Sequence, residues 1–126
     1  MASSNNPQSV EAQRRKLPFT FYAAKNNRIY VRNVDQKVID LGVLSREDGA
    51  LCYFLDGNHD TGRGFRDEEA ALRDIASRVR FLWLDGQFTA VADARDDPEL
   101  DLDGATQVEV TLDELKPGEP IEDATV

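Results

Sequence analysis

The sequence predicts an α+β fold: a small antiparallel sheet of about four strands in a meander, with one main helix packed on one face and disordered N- and C-terminal tails. Three observations predict it. Between residues 17 and 55, four apolar or alternating runs are separated by short clusters of turn residues. Residues 67–84 then change to helical spacing. Outside these stretches the composition turns polar, Ser, Asn and Gln dominating the start of the chain and acids its end. The boundaries that follow are a disordered or partly helical tail over 1–16, an α+β domain over 17–92, and an acidic, largely disordered extension over 93–126.

Each element has its own signal. In the tail, Ser9 can cap a short helix, although only Val10 and Ala12 give it an apolar side. Leu17-Pro18-Phe19-Thr20-Phe21-Tyr22-Ala23 alternates and is aromatic, with Pro18 confining it to a strand start or a sheet edge. Lys25-Asn26-Asn27 is a turn, because Asn tolerates the left-handed conformation of tight hairpins. Arg28-Ile29-Tyr30-Val31-Arg32 is the cleanest strand. Val38 to Leu44 and Ala50 to Leu55 follow, separated by Ser45-Arg46-Glu47-Asp48-Gly49. Asp56 to Gly64 reads as a polar loop. Asp67 then caps a helix whose apolar positions are Leu72, Ile75, Ala76, Val79 and Leu82, with Glu68 and Glu69 at the favourable end of its dipole. Residues 81–92 either extend that helix or turn at Asp85-Gly86 into a hairpin. Residues 106–112 alternate as one more strand or a partner-docking segment. The expected core is Phe19, Phe21, Ile29, Val31, Ile39, Leu41, Phe54, Leu72, Ile75 and Val79.

Composition narrows the class of function. The 126 residues carry a net charge of −9, unevenly placed. Residues 13–84 hold 13 bases against 10 acids, whereas residues 85–126 hold 13 acids against only Arg95 and Lys116. A near-neutral body therefore carries an acidic extension. One cysteine cannot form an intramolecular disulfide, and with one histidine it cannot build a Cys/His zinc site. No stretch reaches the roughly 18 apolar residues of a membrane span, and Met1 to Gln8 lacks a signal-peptide core. A cytoplasmic protein without cofactor or metal is the expectation.

The motifs that invite catalysis are incomplete. Gly57-Asn58-His59-Asp60 resembles the Gly-Asn-His block of the metallophosphoesterases, in which Asn and His help hold two metals. That family's Asp-x-His and Gly-Asp blocks have no counterpart, and His59 is the only histidine in the chain. Gly62-Arg63-Gly64 continues into Phe65-Arg66-Asp67, where a phosphate loop ends in Gly-Lys-Ser/Thr. Close backbone approach and helix capping explain those glycines and Asp67 better. Cys52 has no basic sequence neighbour to lower its pKa and reads as a structural thiol. These residues favour a protein that is not an enzyme.

Two binding surfaces remain. Strand parity puts Arg28, Tyr30 and Arg32 on one side and Ile29 and Val31 on the other. With Phe19 and Phe21 under the helix, Tyr22 joins the arginines, and Tyr53 is a further candidate for that face. Arginines interleaved with tyrosines suit nucleic acid, the arginines taking phosphates and the rings stacking. The order of elements over residues 17–84 also resembles the sheet-plus-helix DNA-binding domains of the integrase N-terminal and plant AP2 type. Gly62-Arg63-Gly64 before an Ala-rich helix resembles the end of a double-stranded-RNA-binding domain, whose helix opens with lysines where this one has Asp67-Glu68-Glu69. The second surface is Asp93, Asp96, Asp97, Glu99, Asp101 and Asp103, which repels nucleic acid and attracts a protein with a basic surface. The leading expectation is a regulatory or accessory module that binds a protein; the alternative is nucleic-acid binding on the Arg28/Tyr30/Arg32 face, modulated by the acidic extension.

Overall fold

The computed structural model describes residues 16–113. The expected N-terminal tail, Lys16 apart, and residues 114–126 lie outside the described residues. Six strands and two helices follow in order: β1 (Lys16–Ala23), β2 (Arg28–Arg32), β3 (Val38–Glu47), β4 (Ala50–Leu55), β5 (Thr61–Phe65), α1 (Glu68–Arg78), α2 (Phe81–Ala90) and β6 (Thr106–Asp113). The sheet order is β5-β4-β3-β2-β1-β6, with every neighbouring pair antiparallel. The first five strands form a meander. After the helices the chain crosses back, and β6 joins the far edge beside β1.

Local chemistry accounts for the turns. Asp48 and Gly49 both have positive φ, +51° and +82°, between the paired residues Glu47 and Ala50. That is the two-residue hairpin whose twist matches the flanking strands. Asn27 takes φ +66° at the β1–β2 turn, as its short amide side chain allows. Asp67 caps α1, its Oδ1 accepting from the Ala70 amide at 2.8 Å.

One sheet face and the helices enclose the main core. Phe19, Phe21, Ile29, Val31, Ile39, Leu41, Tyr53 and Leu55 meet Leu72 and Ile75 of α1 and Leu84 and Phe88 of α2. The sheet is curled, and α1 touches both of its edge strands, β5 and β6. Between the helices Val79 and Arg80 are extended, with ψ 148° and 153°. This break re-aims the chain so that Phe81 and Phe88 pack against Phe19, ring centroids 6.4 and 6.0 Å away.

The expectation of about four strands and one main helix is therefore corrected to six strands and two helices among the described residues. Thr61–Phe65, read as part of a loop, is a strand. Its two glycines hide it from any propensity argument, and pairing with β4 makes it. Gly62 is there because the Tyr53 ring lies against it: a Cβ would sit 2.6 Å from Tyr53 Cε2. Residues 81–90 neither prolong α1 nor form a hairpin; they are a separate helix. Phe54, expected in the core, is 45% exposed, and Tyr53 takes the inward place. No helix among the described residues is long and apolar enough to cross a membrane.

Candidate functional site

The sheet face turned away from the helices carries four of the five residues expected there. Tyr22 pairs with Tyr30, and Thr20 with Arg32, so the two rings are cross-strand neighbours with Arg28 and Arg32 on either side. Tyr53 lies on the opposite face, against the core. Its hydroxyl donates to Asp74 Oδ2 at 2.6 Å and its ring stacks on Phe65. Burial first, and then the bond to the Asp74 carboxylate, raise the pKa of that phenol.

The face is not open. Tyr22 and Tyr30 are buried, together with Ala24 and Val38, beneath Ala94, Leu100, Leu102 and Ala105. These four come from the acidic stretch between α2 and β6, which crosses the sheet as a strap. Residues 93–105 thereby form a second, smaller apolar layer on this face. Arg32 lies over the Tyr22 ring at 5.2 Å. The Arg28 guanidinium is bidentate on Asp40, Nε at 2.9 Å from Oδ2 and Nη2 at 3.0 Å from Oδ1, and Nη2 also donates to Asp56 at 3.0 Å. The bond to Asp40 above all raises its pKa. Two carboxylates already occupy the group that a phosphate would need.

Backbone and aspartate side chains hold the strap. The Ala94 amide donates to the Val38 carbonyl at 2.7 Å, and the Val38 amide returns a bond to Asp93 Oδ1 at 3.1 Å. Asp93 Oδ1 also accepts from the Arg95 amide at 2.9 Å, and its Oδ2 from Arg95 Nε at 2.8 Å. The Arg95 amide chiefly, with Val38 and the Arg95 side chain, lowers the Asp93 pKa. Asp97 accepts from the Glu99 amide and Asp101 from the Asp103 amide, both side-chain turns. Lys25 Nζ lies 3.7 Å from Asp101. With the backbone fixed in this way, Asp96, Asp97, Glu99, Asp101 and Asp103 are all exposed, while Leu100 and Leu102 between them turn inward.

The sheet beyond the strap is uncovered around Phe54. His59, exposed on the β4–β5 turn with φ +59°, meets the Phe54 ring edge-on at 5.7 Å. Cys52 Sγ is 3.2 Å from Ser45 Oγ. Among the described residues no group of three or more His, Cys, Asp or Glu side chains is placed to hold a metal ion.

The sequence reading missed Asp40 and Asp56 as partners of Arg28, since only the fold brings them to it. It also missed the inward role of Leu100 and Leu102. Their signal was present: in Glu99-Leu100-Asp101-Leu102-Asp103 apolar and acidic residues alternate, as in a segment half-buried on one side. Compared with protein-family models, with curated proteins and with solved structures, the chain matches none.

Proposed function

We propose that this chain is a small non-enzymatic accessory module that binds a protein with a basic surface through the strip Asp96, Asp97, Glu99, Asp101 and Asp103. The observation that carries the reading is the alternation on the strap. Five acids face solvent because the leucines among them are committed to the sheet. A strip anchored in this way loses less conformational freedom on binding than a loose acidic tail. Its field also steers a cationic partner toward it. The nucleic-acid alternative is less well supported, since Tyr22 and Tyr30 are covered, Arg28 is paired, and the covering segment repels phosphate.

The test compares wild type with a variant carrying Asp96→Asn, Asp97→Asn, Glu99→Gln, Asp101→Asn and Asp103→Asn in affinity capture at low and raised salt. Wild type should retain a basic protein that salt releases and that the variant fails to hold. Equal retention by both proteins, or a salt-sensitive mobility shift of nucleic acid by wild type, would overturn it.

A further inference from the structure

The two edges of the sheet are built differently. β5 has five residues, two of them glycine, and a register shift where Gly64 takes φ +86°. Such a bulge twists an edge away from pairing. β6 has no such guard. Its eight residues, Thr106–Asp113, pair with β1 from Ala23 to Lys16 without interruption, and the run contains no Pro, Gly or Lys. Among the described residues no strand lies on its outer side.

The two sides of β6 also differ. Beneath it, Val108 is buried, but Val110 and Leu112, with Leu17 of β1, are only partly covered. Above it, Gln107, Glu109, Thr111 and Asp113 are exposed. Gln107 pairs with Tyr22, which places this row on the same sheet face as the acidic strap.

We infer that the outer edge of β6 accepts an extended segment of a partner protein as an added strand, one that alternates apolar and basic residues. Main-chain hydrogen bonds would continue the sheet. The apolar side chains would complete the cover over Val110 and Leu112, and the basic ones would face Glu109 and the acids of the strap. A second copy of this chain fits poorly, because antiparallel pairing of two β6 strands would bring like charges together on one face. The inference rests on the basic partner of the proposed function and adds how that partner is held.

A short peptide alternating valine and lysine is the probe, with a valine–glutamate peptide as its control, followed by amide NMR and hydrogen exchange. The lysine peptide should slow exchange at alternate amides within residues 107–113. The Glu109 side chain is exposed and makes no hydrogen bond or ion pair among the described residues, so Glu109→Lys should fold normally by circular dichroism. That variant should bind the lysine peptide about tenfold more weakly and gain affinity for the glutamate peptide. Unchanged affinity in Glu109→Lys, protection along β5, or a dimer through β6 without peptide would overturn the inference. Lysine-peptide protection confined to residues 96–103 and lost on neutralising the strip would overturn the edge inference while leaving the proposed function standing. A peptide that binds nowhere counts against both.

Discussion

Tyr53 ties the sheet to α1 through both its ring and its hydroxyl. Its ring closes the core against Phe65 and Gly62, and its hydroxyl is tied to an aspartate that also receives Arg78 Nε at 3.0 Å. Tyr53→Phe leaves Asp74 with Arg78 and should cost about 1 kcal/mol in urea denaturation. The pH dependence has a definite sign. Because the folded state raises the phenol's pKa, the associated stability is complete below the unfolded value of about 10 and is lost as pH rises toward the folded one. Wild type should therefore lose stability in the alkaline limb, and Tyr53→Phe should lose less of it; identical limbs would contradict this. The side to which Tyr53 points was not legible in the sequence. Ala50-Leu51-Cys52-Tyr53-Phe54-Leu55 is apolar throughout, so period two leaves no mark on it. Parity there is set by pairing Phe54 with Val43 and Tyr53 with Leu44, after a bulge in the β2–β3 register.

Among the elements, the legible ones bury a repeating pattern. β1, β2 and α1 could be read because Phe19 and Phe21, Ile29 and Val31, and Leu72 and Ile75 recur at the spacing of their own structure. β5 could not, since Thr61-Gly62-Arg63-Gly64-Phe65 has neither alternation nor propensity. The strap was hidden by charge: its acids dominated its composition, although its few apolar residues decide where it lies. Acid should loosen it. The Asp93 pKa is lowered in the folded protein, so the stabilisation is present above the unfolded value of about 4 and is lost as pH falls through the folded one. Amide exchange at Val38 and Ala94 should speed up as pH falls below about 4, after correction for intrinsic rates. Asp93→Asn should show no such step, and a step that survives the substitution would assign the loosening to another group.

For the molecule as a whole, the acidity and the architecture are inseparable. The last third of the described chain supplies the cover over Tyr22 and Tyr30 and the strand that flanks β1 along all eight of its residues. A chain ending at residue 92 should therefore be largely unfolded by circular dichroism; a cooperative, native-like melt from that truncation would show that the first five strands suffice. The pairing of Lys16 with Asp113 also has a temporal meaning. The earliest of the described strands receives the neighbour on this side from nearly the last residues described, so that edge waits for β6 while more than eighty residues are synthesised between them. Sequence-distant pairing of this kind slows folding and prolongs the exposure of a hydrophobic edge. The nascent chain thus meets its aggregation hazard at Phe19 and Phe21 early, and is released from it only when β6 has emerged.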